Sequence, residues 1–188
     1  MDQRGLVERA RGGDHDAFAE LARAAVVRLD QAARLILRDP ELARDAVQDG
    51  LIRAWRDLPG LRDPERFDAW LHRLTVNACL DLIRRRRRRP IEVELVSIHH
   101  PTTADTSTAV AQRDQIDAVL LRLDAGGRAI VVLHYYLGMP LTEVAATLGI
   151  PVGTVKSRLH RALGDMRIAI SDSAVDPHRS AVAGGQLA

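Results

Sequence analysis

The sequence predicts an all-α protein made of two small helical domains joined by a flexible linker. Helical periodicity runs almost without interruption from Asp14 to Arg89 and resumes from Gln112 to about Ile170. The intervening residues 90–111 contain prolines, serines and several threonines and lack a sustained helical pattern. No strand-like alternation of polar and apolar residues appears in either helical part, so a sheet is not expected.

These shifts in composition set the expected domain boundaries. We predict an N-terminal domain at 1–89, the linker at 90–111, a C-terminal domain at 112–170 and a disordered tail at 171–188. Short breaks at Asp39-Pro40 and between Pro59 and Pro64 divide the first domain, and three glycine-containing breaks divide the second into four helices. A chain of 188 residues is long enough for two such cores.

Composition excludes several classes of protein. No apolar run approaches the roughly 18 residues of a membrane span, so membrane insertion is not expected. Met1–Gly13 is charged throughout and lacks the apolar core of a secretory signal, which predicts a cytoplasmic protein. Cys79 is the only cysteine, so neither an intrachain disulfide nor a cysteine-based metal site is expected, and no cofactor is implied. The net charge is only +2, so any nucleic-acid surface depends on where the arginines lie.

The segment LTEVAATLGIPVGTVKSRLHRAL predicts a helix-turn-helix in the C-terminal domain. Ala145 allows close helix packing, Gly149 can adopt the positive φ at the end of the first helix, and Val155 packs the second helix onto the first. The outward face of the second helix would enter the major groove of DNA. This face carries Thr154, Ser157, His160 and Arg161, flanked by Lys156 and Arg158. The same pattern also fits an ordinary helix pair with a solvated polar face.

Two helices of the N-terminal domain each combine an apolar stripe with an informative exposed row. In PERFDAWLHRLTVNACLDLIRRRRRR, a row with Arg73, Asn77 and Arg84 adjoins Leu80, which suits a surface that meets unpaired bases. The six arginines at 84–89 favour phosphate contact, although such runs are often only solvated patches. In ELARDAVQDGLIRAWRDL, the predicted exposed row contains an isoleucine among charges, a weak sign of a protein interface. That row is Asp45, Asp49, Ile52 and Arg56.

Four stretches, in the same order and at similar separations, resemble the extracytoplasmic-function sigma factors of the sigma-70 family. They are GDHDAFAEL, ARDAVQDGLIRAWRDL, FDAWLHRLTVNACLDLIRRRRRR and the helix-turn-helix segment, and the resemblance covers Val7 to about Arg167. It implies a non-enzymatic subunit that binds core RNA polymerase, recognises and melts promoter DNA, and is held in check by an anti-sigma factor. It also implies that the linker threads toward the active-site and RNA-exit channels of the polymerase.

The resemblance assigns roles to the exposed rows. The DAVQDGLIRAW helix would bind the clamp of the largest polymerase subunit, Asn77 would line a pocket for a flipped base of the minus-ten element, and Arg161 would help to read the minus-thirty-five element. The expected polymerase-binding residues are Asp45, Gln48, Asp49, Ile52 and Arg56; the expected minus-ten residues are Phe67, Trp70, Arg73, Asn77, Arg84 and Arg85; and the expected minus-thirty-five residues are Thr154, Lys156, Ser157, Arg158, His160 and Arg161.

The chain departs from the family pattern at three places. Leu123-Asp124 stands where the family usually has Leu-Pro, Ala25-Val26-Val27 stands where an aromatic residue is common, and Asp49 replaces a usual glutamate.

Two other classes of protein compete with this interpretation. A conventional helix-turn-helix regulator would bind a palindrome with half-sites about one helical turn apart, without polymerase. An enzyme is disfavoured because the sequence has no Gly-rich phosphate loop, no HExxH and no nucleophile elbow.

Overall fold

The computed structural model describes residues 2–88 and 118–175, and every regular element within those ranges is a helix. The N-terminal half contains α1 (Gln3–Arg11), α2 (His15–Leu37), α3 (Pro40–Asp57), two 3-10 turns (Leu58–Gly60 and Pro64–Arg66) and α4 (Phe67–Arg88). The C-terminal half contains α5 (118–121), α6 (Ala125–Val131) continuing as a π-helix (Val132–Tyr136), α7 (Leu141–Leu148) and α8 (Val152–Val175). The all-α prediction is confirmed, and the predicted linker lies outside the described residues.

Three helices of the N-terminal half, α1, α2 and α3, begin after aspartates that cap them. Asp14 accepts hydrogen bonds from the backbone N–H groups of Asp16 and Ala17, both at 3.0 Å, and these bonds and Arg9 lower the pKa of its carboxyl group. Asp39 caps α3 in the same way, with Pro40 in the first turn. The predicted breaks in this half therefore correspond to real helix boundaries.

The sequence interpretation missed α1, whose Leu6, Val7 and Ala10 are buried in the core. A nine-residue helix with three apolar positions gives only a weak periodic signal among its charged neighbours. It packs along α2 and completes the core of the N-terminal half.

Helices α3 and α4 approach each other closely at Gly50 and Thr75. A Cβ atom on Gly50 would lie 2.6 Å from Thr75 Oγ1 and 3.0 Å from Thr75 Cα. Thr75 is buried, and its hydroxyl donates a hydrogen bond to the backbone oxygen of Leu71 at 3.2 Å. Because α3 and α4 carry two of the predicted functional rows, this contact sets the distance between them.

The C-terminal half begins its second helix at Asp124. The Asp124 carboxylate accepts a hydrogen bond from the backbone N–H of Gly127 at 2.6 Å, so an aspartate cap starts α6 where the family usually has a proline. At the other end, α8 continues to Val175, past the predicted domain end at Ile170 and into the predicted tail.

The two halves are in direct contact, which the sequence did not predict. Arg128 Nε donates to the backbone oxygen of Ile36 in α2 at 2.8 Å, and the hydroxyl of Tyr136 donates to Gln31 Oε1. One continuous cluster of buried apolar residues includes members of both halves. None of the described helices has the length and apolar character needed to cross a membrane.

Candidate functional site

The turn between α7 and α8 has the geometry that the helix-turn-helix prediction requires. Gly149 ends α7 with φ 65° and ψ 35°, the left-handed conformation that glycine adopts without steric cost. Val144 and Val155 are fully buried on facing helices, and Ala145 is 4% exposed between them. These contacts orient the N-terminal part of α8 so that its opposite face points outward.

That outward face is accessible and rich in hydrogen-bond donors. Five of the six predicted minus-thirty-five residues are exposed (Lys156, Ser157, Arg158, His160 and Arg161), and Thr154 is half-buried. The Ser157 hydroxyl donates to the backbone oxygen of Thr154 at 3.0 Å, and within the described ranges no ion pair engages Lys156 or Arg161. Their charges are therefore available to an external anion such as DNA.

Arg158 differs from its neighbours in direction. Its Nη1 atom lies 3.5 Å from where a Cβ atom of Gly126 would stand, so the guanidinium lies over the start of α6. The other predicted side chains do not share this contact. Arg158 therefore lies at the edge of the outward face of α8.

On α4, the predicted minus-ten residues lie at different depths. Arg73, Arg84 and Arg85 are exposed, whereas Trp70 and Asn77 are half-buried. Phe67 is only 1% exposed, and its ring lies 6.1 Å from that of Trp70. Phe67 was expected among the DNA-contacting residues. In this structure it lies in the core beneath the exposed surface, because it belongs to the apolar stripe of α4.

The arginine run at the end of α4 is partly neutralised within the chain. Arg84 pairs with Asp81 at 3.1 Å, and Arg86 pairs with Asp39, the cap of α3, at 3.4 Å. Arg85 is exposed and forms no ion pair with any described residue. Sequence alone did not distinguish these roles, since the pairing depends on how α4 lies against α3.

Four of the five predicted polymerase-binding residues on α3 are exposed. Asp45, Gln48, Ile52 and Arg56 are exposed, with 58% exposure for Ile52, and Asp49 is half-buried.

Behind this row, Arg53 joins α3 to α4. It pairs with Asp49 at 2.6 Å and with Asp81 at 3.4 Å, and the hydrogen bond that it donates to Asp49 raises its pKa. Asp49 thus belongs to the predicted row, and it also pairs with Arg53, the residue that links α3 to α4.

An open groove of about 600 Å³ runs between α2 and α3 beside this row. Its apolar lining is Val26, Val27, Val47, Leu51 and Ile52, and Gln31 and Gln48 lie on its polar rim. Val27 is 63% exposed, so a large apolar surface is left uncovered. In the sequence, Val26 and Val27 stood out only as a departure from the family pattern. Their position opposite Ile52 depends on how α2 packs against α3, which the sequence pattern does not show.

No group of three or more acidic, histidine or cysteine side chains in the described residues is arranged to hold a metal ion. Cys79 is buried, and burial raises the pKa of its thiol to about 12. The candidate functional features among the described residues are the exposed faces of α3, α4 and α8 and the groove between α2 and α3.

Two family models match this chain. Sigma-70 region 2 matches residues 21–89, and Sigma-70 region 4 matches residues 113–166. The two matches cover the two helical parts separately and in that order.

Among curated relatives, the ECF RNA polymerase sigma factor SigM of Mycobacterium tuberculosis is 39% identical over 151 residues, which are 80% of this chain and 75% of the relative. The RNA polymerase sigma factor CnrH of Cupriavidus metallidurans is 34% identical, over 84% of this chain and 88% of the relative. The ECF RNA polymerase sigma factor SigW of Bacillus subtilis is 26% identical, over 88% and 95%.

Solved structures share the fold. CnrH in complex with the cytosolic domain of CnrY superposes with a TM-score of 0.65 at 31% identity, over 90% of this chain and 97% of that one. The sigma factor RpoE in complex with the anti-sigma factor NepR from Bartonella quintana also gives a TM-score of 0.65, at 24% identity, over 82% and 96%. These similarities agree with the all-helical fold described above.

Proposed function

The chain belongs to the sigma-70 family, among the extracytoplasmic-function RNA polymerase sigma factors, and from that premise we propose which of its surfaces carries each step. As a sigma factor it directs RNA polymerase to initiate transcription at specific promoters. The polymerase supplies the chemistry, so the protein itself acts as a specificity subunit and not as an enzyme. Its place of action is the cytoplasm, where the polymerase works.

Core polymerase binds at the α3 row and the adjoining groove. The observation that carries this assignment is the uncovered apolar surface of Val27 and Ile52 next to the charged Asp45 and Arg56. An apolar groove with a polar rim is the form in which proteins receive a helix. The clamp of the largest subunit is the expected occupant, because the family resemblance assigns it to this helix.

The minus-ten element binds along α4. Arg85 and Arg73 offer charge to phosphates, and the half-buried Asn77 offers an amide that can hydrogen-bond the edge of an extruded base. Trp70 contributes an aromatic surface on which a base can stack, with Phe67 packed beneath it.

The minus-thirty-five element binds the outward face of α8. Arg161 can form two hydrogen bonds to one guanine, and Lys156, Ser157 and His160 lie beside it on the exposed surface. Arg158, which leans over Gly126, is better placed to meet the DNA backbone at the edge of the groove.

An inhibitory protein that binds these same surfaces is the expected regulator. The support is the similarity to CnrH, whose solved complex contains the cytosolic domain of CnrY. For this chain, an anti-sigma factor would act by covering the groove or the outward face of α8.

A footprinting experiment separates this function from that of a conventional helix-turn-helix regulator. Purified protein is added to a promoter library with and without core polymerase, and protection is mapped. Specific protection of two unlike elements only when core polymerase is present supports the proposal. Specific protection of a palindrome by the protein alone would refute it.

A further inference from the structure

Lys156 is the only lysine in the chain, although lysine and arginine together number 27. An arginine guanidinium keeps its proton in proteins, whereas a lysine amine can lose its proton and then react with acyl donors. Apart from the α-amino group at the N-terminus, chemistry that acylates amines therefore has one target in this protein. That target lies on the surface proposed to bind the minus-thirty-five element.

The Lys156 amine is open to reagents in solution. Lys156 lies in the second turn of α8 and is exposed, while the adjacent Val155 is fully buried and holds the helix against α7. No carboxylate among the described residues forms an ion pair with Lys156. The backbone at this position is thus fixed by packing, and the side chain is left without a charged partner there.

The charges around Lys156 favour anions. Over residues 152–164, α8 carries the cations Lys156, Arg158 and Arg161 and no acidic residue, and Asp165 is the first carboxylate along the helix. The net charge of the whole chain is only +2, so this stretch is basic relative to the rest. A basic surface raises the local concentration of small anions. An acyl phosphate is an anion, so it is attracted to the lysine that it can acylate.

Resting on the proposed role of α8 in DNA binding, we propose that Lys156 is an acylation site through which acyl phosphates lower the affinity of this sigma factor for promoters. The unprotonated ε-nitrogen attacks the carbonyl carbon of the acyl phosphate and forms a C–N bond. The bond from that carbon to the phosphate oxygen breaks, phosphate leaves with the electron pair, and the nitrogen releases its extra proton to water. Nothing is oxidised or reduced.

Acylation removes a charge that lies where the DNA backbone is expected. By helical geometry, Lys156 and Arg158 lie at opposite edges of the outward face of α8, and Arg161 lies between them. A cation at the edge of a helix in the major groove is placed to meet phosphates, which supply affinity without reading sequence. The amide product is neutral, so the contact is lost. The acylated protein therefore keeps its base preference and binds more weakly.

Counterion release gives the expected size of the loss. Each phosphate that a protein neutralises on duplex DNA contributes about 0.9 to the slope of log affinity against log salt concentration. Loss of the Lys156 contact should flatten this slope by about 0.9 and weaken binding roughly eightfold at about 0.1 M salt. The loss should shrink as the salt concentration rises, and it should be similar at promoters of different sequence.

The test acylates the full chain alone with acetyl phosphate, removes the reagent and then adds core polymerase. Peptide mass spectrometry measures the rate and extent of acylation at each amine. Titration with promoter fragments from the footprinting experiment measures holoenzyme affinity at several salt concentrations, before and after treatment. The uncharged N-hydroxysuccinimide ester of acetic acid is the reagent control, because a charged surface does not attract it.

Two variants separate the amine from its position. Lys156→Arg keeps the charge and removes the amine. Lys156→Arg combined with Arg167→Lys moves the single lysine about three turns along α8, to an exposed position close to Asp165 and outside the proposed DNA surface. Each protein is compared with itself before and after treatment, so acylation of the N-terminal amine, which is common to all, cancels. Arg161→Ala reports independently whether the outward face of α8 binds DNA.

The expected result is that acetyl phosphate acylates Lys156 severalfold faster than the relocated lysine, and that added salt reduces the difference. The uncharged ester should acylate both positions at similar rates. Acetyl phosphate treatment should flatten the salt slope of the wild type by about 0.9 and leave the slope of each lysine variant as it was before treatment.

Two results would overturn the inference. Equal rates of acylation by acetyl phosphate at the two positions would show that the surface around Lys156 does not attract the reagent. Complete acylation of Lys156 without a change in affinity, in an experiment where Arg161→Ala does weaken binding, would show that this lysine does not control DNA binding. If Arg161→Ala also bound as tightly as the wild type, the outward face of α8 would not hold the DNA. That outcome would contradict the proposed function, while the acylation rates would still decide whether Lys156 is the preferred site.

Discussion

Replacing Gly50 with alanine should push apart the two helices that carry the polymerase-binding and minus-ten surfaces. The added methyl group would lie 2.6 Å from Thr75 Oγ1, 3.0 Å from Thr75 Cα and 3.2 Å from Thr75 Cβ. Rotating the Thr75 side chain relieves only part of this overlap, because one of the three atoms belongs to the backbone. The helix axes must therefore separate locally.

Two opposing effects set the change in the free energy of unfolding that Gly50→Ala should cause. Overpacking a buried contact costs about 1–3 kcal/mol, whereas replacing glycine by alanine inside a helix gains up to about 1 kcal/mol. The net expectation for Gly50→Ala is a loss of about 1–2 kcal/mol in the free energy of unfolding. Combining it with Thr75→Ala should restore part of this loss, since the overlap with Oγ1 disappears and the overlap with Cα remains.

Urea unfolding followed by circular dichroism measures these differences. Gly164→Ala, in the middle of α8, is the matched control: a Cβ atom added at Gly164 would meet nothing within 4 Å, so a gain of about 0.5–1 kcal/mol is expected. Equal stability of Gly50→Ala and Gly164→Ala would mean that the close approach of α3 and α4 is absent in solution.

Three further predictions follow from single residues. Asp49→Lys should weaken core-polymerase binding about tenfold or more in a pull-down titration. Asp49→Asn, which also breaks the pair with Arg53, should weaken binding less. Equal affinity for the wild type and both variants would show that the exposed row on α3 does not bind polymerase. Gly149→Ala should lower stability by about 1–2 kcal/mol in thermal unfolding because φ is +65°, and no loss would contradict the left-handed turn. Burial lowers the pKa of His72, so the unfolded chain takes up a proton at higher pH than the folded chain. The free energy of unfolding should therefore fall as the pH drops below 6.5. If the wild type and His72→Gln showed the same pH dependence, protonation of His72 would not be its cause.

The parts of the fold that follow from local pattern were predictable. The helix-turn-helix depended on Ala145, Gly149 and Val155, whose spacing reflects contacts within one short segment. The exposed rows of α3 and α4 follow from helical periodicity alone, and Ile52 is indeed among the most exposed apolar residues described.

The parts that depend on contacts distant in sequence were not predictable. Arg86 reaches Asp39 across 47 positions, and Arg128 reaches Ile36 across 92. Periodicity identifies the face on which a side chain lies but not the element it meets. For the same reason the groove beside Val27 became visible only when α2 and α3 were placed side by side.

If α8 reads duplex DNA and α4 binds an extruded base, single substitutions on the two helices should cause separate defects in promoter binding and promoter opening. Arg161→Ala should lose about 1–3 kcal/mol of closed-complex binding in a heparin-free shift assay with holoenzyme. Asn77→Ala should bind nearly normally and fail in strand opening, because the cost of unstacking a base is no longer offset by its pocket. Permanganate reactivity on one promoter measures opening, and a pre-melted bubble template removes the need for it. The bubble should restore transcription by Asn77→Ala much more than by Arg161→Ala, and equal restoration of the two variants would contradict separate roles for α4 and α8.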